Sequence, residues 1–245
     1  VSAYNDTFIA LLENPGSVNL HLEWAQFNIG DKLGTIRTVD VGDINGDGFL
    51  DILVASEGVD TTVTPLTDTD PINHGSYVTW FENPDGLLPK GLWTSIINND
   101  QFQWERNDVD TTTRANAHGS LVDMDLDSDL DILMPSGLRD DLVPDSLHKV
   151  RWYENVDGSG GSWVVHEIGA LAMAFECVGG NLDLDTDIDV VCSAHDFGDR
   201  IVIFENLGTA WDMHNLKKPL IAPNQVLLVD VDGDLKLDIV NTSDN

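Results

Sequence analysis

The sequence predicts an all-β fold built from four-stranded antiparallel units, and three observations predict it. An acidic nonapeptide recurs four times, each copy running directly into a short apolar stretch. A second motif, ending in Glu-Asn, recurs four times in register with the first. Apolar residues come in short β-branched and aromatic runs bounded by Gly, Asn, Asp and Pro, with no long stretch of 3.6-residue periodicity.

The acidic copies are Asp43 to Asp51 (DINGDGFLD), Asp123 to Asp131 (DMDLDSDLD), Asn181 to Asp189 (NLDLDTDID) and Asp230 to Asp238 (DVDGDLKLD). Their starts lie 80, 58 and 49 residues apart, as expected for one supersecondary unit per repeat with insertions in the loops. The apolar continuations are Ile52 to Val54, Ile132 to Met134, Val190 to Cys192 and Ile239 to Val240. The Glu-Asn motif stands at Trp80 to Asn83, Trp152 to Asn155, Ile203 to Asn206 and, near the N-terminus, Leu11 to Asn14. A tryptophan trails each copy: Trp93, Trp163, Trp211 and Trp24. Each unit therefore reads as strand A before the acidic loop, strand B after it, strand C carrying Glu-Asn and strand D carrying the tryptophan.

Four-stranded units repeated in this way are the blades of a β-propeller. The repeats read as residues 29–98, 115–168, 173–222, and 225–245 together with 7–28, within a single domain over 1–245. The last blade is expected to close through the termini. An orphan strand C (Phe8 to Asn14) and strand D (His21 to Phe27) would join strands A and B of the fourth repeat. The alternatives are a piece of a larger propeller and strand exchange between chains. Val1 in place of Met reads as a processed product or a fragment.

Composition narrows the partners. Forty-three acidic residues against twelve basic ones give a net charge of −31, which repels nucleic acid and anionic membrane. No apolar run is long enough for membrane insertion as a helix. A hydrophobic content of 42% is enough for a packed core.

The acids sit in a pattern that suits Ca2+, a hard cation taking six to eight oxygens at about 2.3–2.6 Å. Side chains at loop positions 1, 3 and 5 wrap one face of the ion, a main-chain carbonyl at position 7 adds a ligand, and the carboxylate at position 9 closes the shell. The predicted ligands are Asp43, Asn45, Asp47, Phe49 and Asp51 in the first loop, and Asp123, Asp125, Asp127, Asp129 and Asp131 in the second. The third set is Asn181, Asp183, Asp185, Asp187 and Asp189; the fourth is Asp230, Asp232, Asp234, Lys236 and Asp238. Phe49, Asp129, Asp187 and Lys236 would act through the carbonyl. Up to four ions are expected, with the fourth loop the weakest because Leu235 and Lys236 replace small or neutral residues. Magnesium, which demands stricter octahedral geometry, is the second choice.

Other residues carry less. Cys177 and Cys192 flank one predicted hairpin, either as a disulfide or as two buried thiols. His118 is the one histidine placed where strand A would line a channel. Asn5 and Asn241 head N-glycosylation sequons. The repeated Glu13, Glu82, Glu154 and Glu205 read as architectural, and no catalytic motif is present.

The acidic loop, the strand that follows it and the Trp-Phe/Tyr-Glu-Asn strand resemble FG-GAP/VCBS repeats, also found in integrin α-subunit propellers and in secreted lectins. The resemblance spans about Phe8 to Asn241. It implies calcium in the A–B loops and an extracellular, non-catalytic module for adhesion, carbohydrate or protein binding on a cell surface or in matrix, or for self-assembly. Two alternatives stand beside it. One is a calcium-dependent, lyase-like polysaccharide enzyme, which would need Arg37, Arg114, Arg139 and Arg151 to converge. The other is the protomer of a homopolymer closed by strand exchange.

Overall fold

The computed structural model describes residues 8–14, 24–30, 33, 35–57, 76–84, 104–137, 148–183, 185–195, 200–216 and 220–243. These residues form sixteen strands, with no helix among them. Three four-stranded antiparallel meanders make up the body. The first contains β3 (Ile36–Gly42), β4 (Asp51–Glu57), β5 (Ser76–Glu82) and β6 (Glu105–Asp110). The second contains β7 (Ser120–Val122), β8 (Asp131–Pro135), β9 (Lys149–Asn155) and β10 (Trp163–Ala170). The third contains β11 (Ala174–Gly180), β12 (Asp189–Ala194), β13 (Arg200–Asn206) and β14 (Trp211–Asn215). Two hairpins accompany them: β1 (Ile9–Glu13) with β2 (Ala25–Ile29), and β15 (Pro223–Val229) with β16 (Asp238–Ser243).

Successive units stack face to face, which explains the continuous apolar runs after each acidic loop. On β4, Ile52 and Val54 face Ile9 and Ile29 of the first hairpin, while Leu53 and Ala55 face Ile132, Met134 and Tyr153 of the second sheet. On β8, Leu133 turns to the next layer, packed with Ala174, Cys177, Val190 and Phe204. On β12, Val191 faces Val226 of the last hairpin. A strand covered on both faces cannot alternate apolar with polar residues, so β4, β8 and β12 are buried along their whole lengths. The outer strand β14 is largely exposed. Polar bridges tie the inner strands together: Thr38 Oγ1 donates to the Ala117 carbonyl (2.8 Å), and the Leu121 N–H donates to Asp40 Oδ2 (2.8 Å).

The structure departs from two expectations. The terminal segments, expected as one blade, stand among the described residues as two separate hairpins, each packed on its own neighbour in the chain. Ile9 and Ile29 pack with Ile52, Val54, Tyr77 and Phe81 of the first sheet, whereas Val226 packs with Val191 and Ile201 of the third. Among the described residues no ladder joins β16 to β1, and each hairpin is a separate two-stranded sheet. The tryptophan of the first unit is also different. Strand β6 follows Trp104 directly, so this unit runs to Asp110, past the expected boundary at 98; Trp93 lies outside the described residues.

Candidate metal centre

The acidic loops connect β3 to β4, β7 to β8, β11 to β12 and β15 to β16, and common hydrogen bonds wind them. Position 1 accepts the N–H of position 6 in three loops: Asp43 Oδ2 from Gly48 (2.9 Å), Asp123 Oδ2 from Ser128 (3.1 Å) and Asp230 Oδ2 from Leu235 (2.9 Å). Position 5 accepts the N–H of position 7 in all four, at Asp47, Asp127, Asp185 and Asp234. These short-range turns face the side chains of positions 1, 3 and 5 toward one another. Asp123, Asp125 and Asp127 bring carboxylate oxygens within 4.8 Å of one another, and so do Asp230, Asp232 and Asp234.

In the first, second and fourth loops the winding uses left-handed backbone at positions 4 and 6. Gly46 and Gly48 supply it in the first loop (φ 72° and 90°). The second loop forces Leu126 (φ 63°) and Ser128 (φ 84°) into the same region, and the fourth forces Leu235 (φ 68°). A side chain there costs about 1–2 kcal/mol, so these loops hold their shape against local strain.

Position 9 has a role that spacing did not reveal. Asp51, Asp131 and Asp189 are at most 1% exposed. Each spans two segments: one oxygen accepts the N–H of loop position 2 (Ile44 3.0 Å, Met124 2.8 Å, Leu182 3.0 Å), and the other accepts the N–H of the motif asparagine (Asn83 2.8 Å, Asn155 2.8 Å, Asn206 2.9 Å). The asparagine side chain returns the contact by donating to the carbonyl of position 8, at Leu50, Leu130 and Ile188. The acidic loop and the Glu-Asn motif are thus one clamp. Asp238 accepts from Val231 (3.0 Å) within its hairpin.

The donor set suits a hard cation on an observation independent of the motif. Asp43 Oδ1 and Asp123 Oδ1 are buried with no hydrogen-bond partner, as are Asp129 Oδ1 and Asp187 Oδ1. Buried carboxylate oxygens without a donor are costly unless a cation meets them. The strain is visible in their acidities. Burial, and then the neighbouring carboxylate of Asp127 or Asp185, raises Asp129 and Asp187 to about 6. Burial also raises Asp131 to about 6, and it raises Asp125 and Asp51. Position 7 was expected to contribute only its carbonyl. In the second and third loops its carboxylate stands among the others, so the side chain is available as well.

The third and fourth loops differ from the first two. At position 1 of the third, Asn181 donates to the Asp185 carbonyl (2.6 Å). In the fourth, Asp230 Oδ1 is already occupied by the N–H groups of Gly233 and Asp234, and Lys236 Nζ lies 3.7 Å from Asp234 Oδ2. That internal ammonium competes with a metal for the same oxygen.

Cys177 and Cys192 are directly opposed on β11 and β12 and joined as a disulfide, closing a loop that contains the whole third acidic turn. The repeated glutamate does more than support the architecture. Glu82 Oε1 accepts from Asn45 of the first loop (3.4 Å), while Glu154 and Glu205 each pair with a histidine on strand D, His166 and His214, at 2.6 Å. The signal was in the sequence: both histidines stand three residues after the strand D tryptophan, in Trp163 to His166 and Trp211 to His214. His118 is half-buried against Phe175 (4.7 Å between ring centres), which stacks on His195 (5.0 Å); burial, and then Arg37, lowers the His118 pKa. The arginines serve separate partners: Arg37 pairs with buried Glu57, and Arg114 donates to the Thr113 carbonyl. Arg151 lies by the Tyr153 hydroxyl. Arg139 and Asn5 lie outside the described residues, and Asn241 lies on β16.

The stretch from β3 through the first acidic loop and β4 carries the position 1, 5 and 9 hydrogen bonds of the acidic turn. Residues 36–70 match the FG-GAP repeat. The part of the FG-GAP match that lies within the described residues is the A–loop–B hairpin, the same unit that β7–β8, β11–β12 and β15–β16 reproduce. No curated protein matches the chain.

Proposed function

We propose that the chain is a calcium-binding, propeller-type module that works outside the cell as a non-catalytic adhesion or ligand-binding unit. The observation that carries this reading is the set of buried, partnerless oxygens on Asp43 and Asp123 in loops whose other donors are already organised around them. Calcium would be held by positions 1, 3 and 5 with the carbonyl of position 7, aided by the Asp129 and Asp187 carboxylates. In the first three loops position 9 has its two oxygens engaged with N–H groups but keeps lone pairs to offer. The order of affinity follows the donors: the first and second loops strongest, the fourth weakest.

The location follows from the same chemistry. A disulfide persists in oxidising compartments, and extracellular modules bind calcium at about 10⁻⁴–10⁻³ M, where the ion is plentiful. The carboxylates that an enzyme would use are committed to loops and clamps, and Arg37 is neutralised by Glu57. The terminal hairpins favour a second reading alongside the first. One hairpin supplies strands C and D and the other strands A and B, so they are complementary halves, and β16 leaves Val240 45% exposed. Pairing between copies would join them. Elemental analysis of chelator-free protein should find at least two calcium ions per chain, and chelation should lower the melting temperature. Fewer than two ions with an unmoved melting curve would overturn the calcium reading; a monomer at all concentrations would overturn pairing between copies.

A further inference from the structure

The first acidic loop contains a residue pair with chemistry of its own. Asn45–Gly46 is the one Asn-Gly junction in the chain, and it occupies positions 3 and 4 of that loop. The other three loops hold aspartate at position 3. An asparagine before glycine can close on itself: the glycine nitrogen attacks the side-chain Cγ, and no Cβ on the following residue hinders the approach. The structure sets this junction apart from the three Asp-Gly junctions among the described residues. Gly48 donates its N–H to Asp43 Oδ2 (2.9 Å), Gly158 to the Asn155 carbonyl (3.1 Å) and Gly233 to Asp230 Oδ1 (2.7 Å). Gly46 donates its N–H to no described residue, and it is exposed, with φ 72°. The attacking nitrogen is therefore free at one junction and held at the other three.

The surroundings of Asn45 suit the reaction. The Asp47 N–H donates to Asn45 Oδ1 (3.1 Å), the oxygen that gains charge as the ring closes, so this donor stands where an oxyanion needs one. Asn45 Nδ2, the leaving nitrogen, donates to Asp47 Oδ2 (3.3 Å) and Glu82 Oε1 (3.4 Å), carboxylates placed to relay a proton to it. From this we infer that Asn45–Gly46 is a self-modifying site that converts while the first loop is empty of calcium. The bond from the Gly46 nitrogen to Cγ forms, the Cγ–Nδ2 bond breaks, and ammonia leaves with the proton that Gly46 gives up. Water then opens the cyclic imide at either carbonyl, so position 45 ends as aspartate or isoaspartate with one added negative charge. The aspartate product gives the first loop the position 3 carboxylate of the other loops, and ligand charge sets calcium affinity. The isoaspartate product adds a methylene to the main chain and shifts positions 5 to 9 against positions 1 and 3. The inference rests on the proposed calcium role: with Asn45 Oδ1 engaged as a ligand, Cγ is held and does not turn onto the Gly46 nitrogen. The first loop thus keeps a one-way record of time spent without calcium.

The test ages the full chain at neutral pH in chelator, in saturating calcium and in urea. Peptide mapping by mass spectrometry follows each junction, isoaspartate methyltransferase labelling separates the two products, and circular dichroism reports folding. In the folded, chelated chain Asn45 should convert at close to its rate in urea. Isomerisation at Asp157–Gly158 and Asp232–Gly233, whose glycine N–H groups are donated, should run well below their rates in urea. If chelation unfolds the chain, the same comparison is made at a calcium concentration that leaves the first loop partly empty. Calcium at about 100 times its dissociation constant leaves about one loop in a hundred empty, so it should slow conversion of Asn45 by roughly tenfold or more. No conversion at Asn45 in the folded chain with the loop empty, or slowing there as deep as at the two aspartates, would overturn the inference. Calcium counted on the same samples separates it from the reading beneath it: equal rates with calcium bound overturn this inference alone, and equal rates with none bound overturn both.

Discussion

Replacing Asp131 with alanine tests whether position 9 is a clamp as well as a candidate ligand. The carboxylate is fully buried, and it accepts the N–H groups of Met124 and Asn155, both at 2.8 Å. The substitution leaves two buried donors with no acceptor. Hydrogen bonds to charged groups contribute about 1.5–3 kcal/mol each, so the expected loss is about 3–6 kcal/mol. That is a large share of the roughly 5–15 kcal/mol that stabilises a typical domain. Asp238 supplies the internal control. It occupies the same loop position but is exposed and accepts from Val231 in its own hairpin, so Asp238→Ala should cost no more than about 1 kcal/mol. Urea unfolding followed by tryptophan fluorescence in the presence of a chelator isolates the clamp from any metal term. The same titration in millimolar calcium should enlarge the Asp131→Ala loss. Equal losses for the two variants in chelator, or a loss below about 1 kcal/mol for Asp131→Ala, would refute the clamp.

Three further outcomes are expected. The metal-free protein should lose stability as pH rises from 3.8 to about 6, because the folded state keeps Asp129, Asp131 and Asp187 protonated where the unfolded chain has released its protons. Melting temperatures across that range in chelator check the sign, and calcium should reverse it by competing with protons. Leu235→Gly should stabilise the protein by about 1 kcal/mol, since Leu235 is 85% exposed and held at φ 68°; a destabilised variant in chemical denaturation would contradict the strain argument. Replacing Cys177 and Cys192 together with serine should cost about 3 kcal/mol for a closed loop of 15 residues, and should weaken calcium binding by the third loop before the others, a difference that calorimetric titration can resolve.

Most of the blade structure was legible because stacking leaves a strong mark. A strand B covered on both faces must be apolar throughout, so Ile52 to Val54, Ile132 to Met134 and Val190 to Cys192 stand out against the acids before them. The A–B turns were legible for the opposite reason: acids crowded at alternate positions mark a tight loop between two strands, and the structure winds it with N–H bonds to those acids. The purpose of the Glu-Asn motif was not legible, because its partner, Asp51 or Asp131, lies 24 or more residues away and the pairing exists only once strands B and C are adjacent. Trp93 misled because the connection between strands C and D in the first unit is long, and the true counterpart, Trp104, shares its spacing to β6 rather than to Glu82.

Periodicity alone does not say how the terminal hairpins pair. Repeat counting treats every strand A–B pair as equivalent and assigns the leftover strands C and D to the one lacking them. In the structure each terminal hairpin meets the sheet next to it in the chain: Ile29, 2% exposed, packs on the first sheet and Val226, 3% exposed, on the third. What remains available to a partner is backbone edge and the exposed side of β15 and β16, with Leu227 58% and Val229 37% exposed. Pairing along such an edge draws on ladder hydrogen bonds more than on apolar burial, and natural edges of this kind are guarded by charge. Here the guard is the fourth acidic loop itself, whose Asp230, Asp232 and Asp234 stand at one end of that hairpin. Calcium bound there would remove part of the repulsion between two such edges, so association between copies should rise with calcium concentration and fall with chelator, with the least tightly held ion setting the threshold.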